Sequence, residues 1–253
     1  MTARARFDFT GTRALITGAT SGIGHAVATI FRDGGADVIA TGTKPDATGY
    51  DADLSGMTYR QLVLTDPESI AGLAAGFTSP DTALDVLVNN AGANFPGGLD
   101  ESHPDGFDAS VELNLFGPYR LTVALHHALK ASTAPGGAAV VNLASMSALR
   151  AVTLVPGYSA AKSGIINLTR NLAVKWAREG IRVNAVAPGV IDTPMTAPMM
   201  GIPVIVDAEL AHVPLGRFGS PAEVAAAVAF LCTEQSSYTS GAVFVIDGAS
   251  DCL

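Results

Sequence analysis

The chain contains little cysteine, with only Cys232 and Cys252 among its 253 residues. Two thiols in a chain of this length do not form a disulfide framework, so we expect both to be reduced, small buried hydrophobic residues in a cytoplasmic protein. Long apolar runs are missing as well. The longest fully apolar stretch, from Val224 to Cys232, has nine residues, whereas a membrane-spanning helix needs about 20. The sequence therefore predicts a soluble protein.

Charge is scarce too, because charged residues make up 15% of the chain against 48% hydrophobic residues. This balance is far from a disordered composition and allows a sizeable core. The formal net charge of −8 opposes nonspecific attraction to nucleic acid and to anionic membranes. The N-terminal segment from Met1 to Phe9 carries basic residues but no apolar core of a secretory signal. We expect neither nucleic acid nor a membrane as a partner.

Several catalytic and organisational patterns are absent from the sequence. The five histidines include no pair with a metal-ligand spacing such as His-Glu-x-x-His, so no metal site is predicted. A Gly-x-Ser-x-Gly elbow is also missing, which argues against a hydrolase. No linker rich in Pro, Gly or Ser divides the chain, and no internal repeat is seen. One domain over residues 1–253 is expected.

Short apolar runs alternate with helical patterns along the chain. Such runs suit strands that are buried on both faces, and the alternation predicts an α/β fold with a Rossmann-type, doubly wound parallel sheet and helices on both faces. The predicted strands are residues 14–17, 37–40, 60–64, 86–89, 138–143, 182–187 and 243–246. The predicted helices are residues 22–33, 67–76, 116–131, 158–178 and 221–232.

Two segments depart from this alternation. Pro45, Gly49 and Gly56 interrupt residues 43–59, which predicts a loop with at most one short turn. Residues 191–213 crowd methionines and other apolar residues among prolines, and they are predicted to be irregular. Flexible apolar side chains suit a substrate lid that excludes water from a reacting centre. A segment that packs in the core or between subunits is the alternative.

Tyr158 and Lys162 have the spacing of two residues on one face of a helix. An ammonium beside a phenol favours the phenolate and lowers its pKa from about 10 toward the range of a general acid or base. The pair therefore indicates proton transfer to or from a carbonyl or hydroxyl oxygen. A solvated helix face with no chemistry is the alternative.

A glycine-rich stretch follows the first predicted strand, which ends near Thr17. Its glycines allow a sharp turn and a close approach to a pyrophosphate, while the next helix directs its positive N-terminal end at the phosphates. A plain strand-to-helix turn is the alternative. The residues predicted to bind a nucleotide here are Gly18, Thr20, Ser21, Gly22, Ile23 and Gly24.

Further motifs appear in a fixed order along nearly the whole chain. They are Asn89-Asn90-Ala91-Gly92 after a buried run, Asn114, Ser145 thirteen residues before Tyr158, and Pro188-Gly189 after another apolar run. With the glycine stretch and Lys162, this set resembles the short-chain dehydrogenase/reductase family. The thirteen-residue step favours Ser145 over its neighbour Ser147.

The resemblance implies hydride transfer between a nicotinamide and a carbonyl carbon. It implies that Tyr158 is the acid/base, that Ser145 polarises the carbonyl, and that Lys162 lowers the Tyr158 pKa and binds the nicotinamide ribose. Asn114 is implied to hold a water in a proton relay, with a structural role in the helix as the alternative. The further cofactor contacts that it implies are Asn90, Ala91, Gly92, Tyr158, Lys162, Pro188, Gly189, Val190, Ile191 and Thr193.

The choice between NAD and NADP is made where the second strand ends, since a carboxylate there binds the ribose and repels a 2′-phosphate. No carboxylate follows that strand. Thr43 offers a hydrogen bond and Lys44 a positive charge, both suited to a phosphate, so NADP is expected. Ser21 stands where many NADP-using relatives have Arg or Lys, and Val63 stands where the family commonly has an aspartate near the adenine.

The leading functional hypothesis is an NADP-dependent oxidoreductase acting on a ketone or secondary alcohol. The chain looks most like the 3-oxoacyl-carrier-protein reductases, but a small ketone, a sugar or a cyclic alcohol is an equal candidate. An NAD-dependent alcohol, sugar or steroid-type dehydrogenase and a non-catalytic nucleotide sensor are the alternatives. The resemblance also implies a homotetramer that packs through residues 116–131 and 158–178 and through the last strand.

Overall fold

Seven parallel strands form one sheet in the order β3-β2-β1-β4-β5-β6-β7 in the computed structural model, which describes residues 5–252. The predicted doubly wound fold is confirmed. Residues 1–4, to which part of the argument about a secretory signal applies, lie outside the described residues. The strands are β1 (Arg13–Ile16), β2 (Asp37–Gly42), β3 (Thr58–Gln61), β4 (Val86–Asn89), β5 (Ala138–Leu143), β6 (Ile181–Pro188) and β7 (Val243–Ile246).

Helices cover both faces of the sheet because neighbouring strand residues point to opposite sides. On one side Ile16, Val86 and Val88 share a core with residues of helices α1 and α9, and on the other side Leu15 and Leu87 pack with α2, α4, α5 and α6. The helices are α1 (Gly22–Asp33), α2 (Pro67–Ala74), α3 (Pro104–Val111), α4 (Gly117–Ala124), α5 (His126–Lys130), α6 (Pro156–Trp176), α7 (Ala197–Met200), α8 (Pro203–Leu210) and α9 (Pro221–Leu231).

The third strand begins and ends earlier than predicted. Residues 60–64 were expected to form it, whereas β3 ends at Gln61. This strand lies at the edge of the sheet and has mostly exposed side chains, so it lacks an apolar run. The apolar Leu62 and Leu64 are buried in the connection to α2 instead. The apolar residues on which the prediction of the strand depends therefore belong to the connection between β3 and α2.

The helical region before β5 also differs from the prediction. Helix α3 was not predicted, because the residues that it buries are the small Gly106 and Ser110 rather than large apolar ones. The expected helix over residues 116–131 is divided into α4 and α5, and a π-helical turn, Glu112–Phe116, directly precedes α4. The backbone of Leu125 leaves helical geometry between the last two.

The segment 191–213 is not irregular, contrary to the prediction. It contains α7 and α8, and each has a proline in its first turn. Proline is compatible with the first helical position because the N–H that it lacks has no partner there. Residues 43–57 form a loop with one short 3₁₀ turn at Ala47–Gly49, as predicted, whereas residues 58 and 59 belong to β3.

The cysteines occupy different environments, although both were expected to be buried. Cys232 is partly buried against the core that contains α1 and α9, whereas Cys252 is exposed in a terminal 3₁₀ turn. A position in the last turn of the described chain gives Cys252 little to pack against. Both thiols are free. Within residues 5–252 no helix is both long and apolar enough to cross a membrane.

Candidate active site

A cavity of about 360 Å³ opens where the chain leaves β1, β4, β5 and β6, at the carboxyl edge of the sheet. Ligands of doubly wound folds bind at this edge. The sequence-predicted residues that line it are Gly18, Thr20, Ser21, Gly22, Ile23, Thr43, Asn90, Ala91, Gly92, Ser145, Tyr158, Lys162, Pro188, Gly189, Ile191 and Thr193. Four others, Gly24, Lys44, Asn114 and Val190, lie outside the lining.

The turn after β1 is held open by side chains from the end of β4. The Nδ2 atom of Asn90 donates to the carbonyl oxygens of Thr17 (2.9 Å) and Gly18 (3.1 Å). Gly18 and Gly22 have φ values of 64° and 52°, which glycine adopts without a steric penalty. Ser21 precedes α1 but makes no side-chain cap hydrogen bond, so N–H groups of the first turn remain available to an anion.

This turn fits a dinucleotide pyrophosphate. A Cβ atom on Gly18 would lie 2.9 Å from the Cα atom of Ala91. The turn after β1 and the segment after β4 are therefore too close together for any side chain at position 18. The residues that would hold the cofactor are thus the glycine turn, the segment after β4 and Thr193 after β6.

Ser145, Tyr158 and Lys162 meet at the other end of the cavity. The Oγ atom of Ser145 accepts the N–H of Ser147 at 3.1 Å, which leaves its own proton free to be donated to a ligand oxygen. Tyr158 lies in the first turn of α6 and lines the same cavity as Ser145. Lys162 is buried one turn further along, and its Nζ atom donates to the carbonyl oxygen of Leu143 at 2.7 Å.

The pKa of Tyr158 is raised rather than lowered, which corrects the expectation from its pairing with Lys162. Burial raises this pKa to about 12, the Ser145 side chain lowers it, and the negative charge of Glu101 raises it. The Nζ atom of Lys162 lies 5.4 Å from the centre of the Tyr158 ring, and burial lowers the pKa of Lys162 to about 8. The phenol is therefore protonated near neutral pH, as a proton donor must be.

Asn114 lies in the π-helical turn, behind Gly92 rather than in the cavity wall. Its Nδ2 atom donates to the carbonyl oxygens of Ala93 and Ser110, both at 2.9 Å, and its Oδ1 atom accepts the N–H of Ala93 at 3.2 Å. A Cβ atom on Gly92 would meet both Asn114 Oδ1 (2.5 Å) and Lys162 Nζ (3.5 Å). Asn114 thus fixes the segment after β4 close to Lys162.

Lys44 does not line the cavity, although its charge was expected to face a phosphate. Its Nζ atom donates to the carbonyl oxygen of Gly49 and lies 4.8 Å from the centre of the Tyr50 ring. Tyr50 lines the cavity instead, and its Oη atom accepts the N–H of Lys44 at 2.7 Å. A Cβ atom on Gly42 would lie 2.5 Å from that oxygen, so the glycine at the end of β2 makes room for Tyr50.

Several residues that line the cavity were not predicted from the sequence. Tyr50 comes from a loop without periodicity, so no pattern places it above the end of β2. Met195 and Thr196 lie within the segment expected to form the lid, but neither was predicted individually to contact a ligand. Leu113, Leu143 and Ala144 also line the cavity and look like ordinary core residues in the sequence. Across residues 5–252, no three His, Cys, Asp or Glu side chains come together as a metal site.

A protonated phenol beside a turn shaped for a dinucleotide places the protein in the class of Rossmann-fold oxidoreductases. A family model described as enoyl-(acyl carrier protein) reductase matches residues 18–249. The chain belongs to the short-chain dehydrogenase/reductase family, which confirms the resemblance seen in its motifs. It is an NAD(P)-dependent enzyme that acts on CH–OH or C=O groups.

Two relatives and one solved structure illustrate this membership. Cis-4-hydroxycyclohexanecarboxylate dehydrogenase of Sinomonas cyclohexanicum is 39% identical, over 93% of this chain and 94% of that protein. The 3-oxoacyl-[acyl-carrier-protein] reductase FabG of Vibrio cholerae is 34% identical, over 94% and 96%. A structure from Agrobacterium tumefaciens with bound NADP, provisionally identified as a 2-deoxy-d-gluconate 3-dehydrogenase, is 32% identical with a TM-score of 0.85, covering 99% of this chain and 100% of that one.

Proposed function

We propose that the protein interconverts a small ketone and its secondary alcohol, with NADP as the preferred cofactor and Tyr158 as the acid/base. The observation that carries this proposal is the half-buried, protonated phenol of Tyr158, which lines the cavity together with Ser145 and Lys162. A phenol in this setting can donate a proton to an oxygen that gains negative charge. The nicotinamide, when bound, supplies or accepts the hydride.

Each polar residue has a separate part in handling the carbonyl oxygen. Ser145 accepts the Ser147 N–H and donates its own proton, so it orients and polarises the carbonyl. Tyr158 donates its proton to the same oxygen during reduction and takes a proton back during oxidation. Lys162 would bind the nicotinamide ribose of the bound cofactor. Asn114, beside Lys162, holds the segment after β4, and its proposed second part is to hold a relay water.

A cyclic alcohol is the substrate class that we favour. The relative with 39% identity is named for a hydroxycyclohexanecarboxylate, and the cavity that contains Tyr158 is also lined by the apolar Leu113, Leu143 and Met195. A 3-oxoacyl thioester on an acidic carrier protein would need a cationic dock. Lys130 on α5 is paired with Glu179 at 2.9 Å, so its charge is partly neutralised for such a dock.

The test is a substrate screen with NADPH and NADH in parallel, followed by nicotinamide absorbance. The panel contains cyclohexanone, 4-oxocyclohexanecarboxylate, sugar-derived ketones and a 3-oxoacyl thioester. Turnover of a ketone with NADPH supports the proposal. Binding of NADPH without turnover of any compound contradicts it and supports the nucleotide sensor.

The preference for NADP rests on hydrogen-bonding groups at the end of β2, where Thr43 and Tyr50 line the cavity together with Ser21. The Agrobacterium tumefaciens structure contains bound NADP. Lys44 is not among the residues that line the cavity, but its ammonium group lies beside Tyr50, which is. We propose that it favours the 2′-phosphate by its field rather than by direct contact.

Lys44→Glu is expected to weaken NADPH binding by about tenfold and to leave NADH binding nearly unchanged, because a negative charge repels only the 2′-phosphate. Dissociation constants from fluorescence titration measure both. The control is Arg6→Glu, which should change neither dissociation constant. Arg6 is exposed and lines a different groove, together with Asp85 and Gly137. Unchanged NADPH affinity in Lys44→Glu would remove Lys44 from the specificity argument.

We also propose a homotetramer that packs through the helices named by the resemblance. Phe116, Tyr119 and Val123 are exposed on or beside α4, and Val174 on α6 is 82% exposed. Apolar side chains grouped on neighbouring helices are typical of a protein interface.

Light scattering of the unmodified protein should give the mass of four chains, and Val174→Glu should shift the population to smaller species. A charge placed in a closed apolar contact is costly because it loses its water. The exposed Lys175→Gln on the same helix serves as the control. A monomeric mass for the unmodified protein would contradict the proposal.

The lid proposed for residues 191–213 is supported by two contacts with the site. Met195 and Thr196 line the cavity, and Glu209 of α8 pairs at 3.6 Å with Arg150 from the segment that follows Ser145. The described side chains of α7 and α8 are not fully buried, as a segment that moves requires. A cytoplasmic location is proposed from the two free cysteines.

A further inference from the structure

Glu101 is a fully buried carboxylate close to the catalytic tyrosine. It is 1% exposed, and no ion pair of Glu101 is found among residues 5–252. A buried charge without a cation is costly unless hydrogen bonds replace its water. Its two oxygens accept two backbone N–H groups, from Phe95 at 2.9 Å and from Tyr158 at 2.6 Å.

The contact with Tyr158 supplies a helix cap that the sequence does not provide locally. Tyr158 is the third residue of α6, and its N–H belongs to the first turn, which has no acceptor within the helix. The residue before the helix is Val155, which makes no side-chain cap hydrogen bond. Glu101 takes this role from outside the helix, and its negative charge is favoured by the helix dipole.

The contact with Phe95 fixes the segment that follows β4. Phe95 has φ 47° and ψ 57°, a left-handed conformation that is unfavourable for a residue other than glycine. Asn114 holds the same segment two residues earlier, at Ala93. Gly157 leaves room for this arrangement, since a Cβ atom there would lie 3.1 Å from Glu101 Oε2. One carboxylate thus joins the segment after β4 to the start of the catalytic helix.

We propose that Glu101 is a positioning residue for the proposed reaction, which joins the backbone of Tyr158 to the turn at Phe95 and so sets the place of the phenol in the cavity. The inference rests on the proposed function of Tyr158. Its physical basis is that a small misplacement of a reacting group can lower a rate by about 100-fold.

The charge of Glu101 has a second effect, on proton transfer itself. The groups that act on the Tyr158 phenol are Ser145 after β5, Lys162 from the next turn of α6, and Glu101 from the segment before α3. Glu101 acts through space, because its carboxylate contacts the backbone N–H of Tyr158. Among these, the Glu101 charge raises the pKa of Tyr158. Removing that charge lowers the pKa, and alcohol oxidation, which needs the phenolate, then begins at lower pH.

The experiment compares Glu101→Gln with Glu101→Asp in the pH profile of alcohol oxidation. Glutamine has one acceptor oxygen where the carboxylate has two, so it loses one hydrogen bond together with the charge. We expect its maximal kcat to fall by about 10- to 100-fold and its profile to shift to lower pH. Aspartate is too short to keep both contacts but keeps the charge, so kcat should fall without the shift. The dissociation constant for NADPH should stay unchanged in both.

Asp105→Asn is the matched control, since Asp105 is an exposed carboxylate on the neighbouring α3, and it should alter neither quantity. Amide hydrogen exchange of the unmodified protein tests the contact without any variant. The N–H groups of Tyr158 and Phe95 should exchange slowly, and that of Tyr158 has no other acceptor in its turn to protect it.

A Glu101→Gln enzyme with the unmodified kcat and pH profile would overturn the proposal. Fast exchange of the Tyr158 amide hydrogen in the unmodified protein would also overturn the proposal. This measurement needs no variant, so it remains decisive if Glu101→Gln does not fold. Failure of the proposed function is seen separately, as an unmodified protein that turns over no ketone, and the exchange measurement then still decides whether Glu101 fixes Tyr158.

Discussion

Tyr158→Phe should lower kcat for ketone reduction by roughly 10²- to 10⁴-fold, the range that a positioned general acid contributes. Phenylalanine keeps the ring and its packing but removes the only proton that Tyr158 can give to the carbonyl oxygen. The pKa of about 12 means that this proton is present throughout the neutral range. Ser145 can still donate a hydrogen bond, so some activity should remain.

Single-turnover reduction with saturating NADPH measures this loss, and a fluorescence titration should show that NADPH binds as before. Tyr238→Phe makes the same chemical change at a fully exposed tyrosine and should leave kcat unaltered. A Tyr158→Phe enzyme within threefold of the unmodified rate would show that another group delivers the proton.

Much of the fold could be predicted because the central strands are buried on both faces. β1, β4 and β5 are mostly apolar for that reason, whereas Arg182 and Asn184 interrupt the apolar pattern of β6. Helix α1 begins and ends at the predicted residues. Asp66 and Ser220 each precede a proline and cap their helices, and Ser220 forms a capping box with Glu223. These signals are local, so a single sequence contains them.

The features that were missed depend on contacts between distant residues. Helix α3 packs through small residues and shows no apolar period. The pKa of Tyr158 is determined mainly by burial, which the spacing to Lys162 does not show. Tyr50 and Glu101 reach the site from segments that are separated from it along the chain. The roles of Tyr50 and Glu101 depend on tertiary contacts. Residue spacing therefore predicted which residues form the site but not how burial and charge set the pKa of Tyr158.

Gly24→Ala should weaken NADPH binding by about 100-fold or more, which corresponds to about 2.8 kcal/mol. Alanine is the better helix former by about 1 kcal/mol, so propensity alone predicts a more stable α1. The structure predicts the opposite, because a methyl group on Gly24 would overlap the carbonyl oxygen of Gly18 and the side-chain nitrogen of Asn90. The same nitrogen holds Thr17 and Gly18 in place, so the overlap must displace the turn that approaches the pyrophosphate.

Gly72→Ala provides the matched control, since Gly72 lies inside α2 and is exposed, and a Cβ atom there would meet no neighbouring group within 4 Å. This variant should raise the free energy of unfolding by about 0.5–1 kcal/mol and leave NADPH binding unchanged. Thermal unfolding and fluorescence titration of both variants give the comparison. If Gly24→Ala bound NADPH like the unmodified protein, the close contact of α1 with the turn would not be what shapes the cofactor site. If Gly24→Ala weakens NADPH binding while Gly72→Ala only stabilises the fold, the loss of binding is caused by the close contact of Gly24 with the turn after β1.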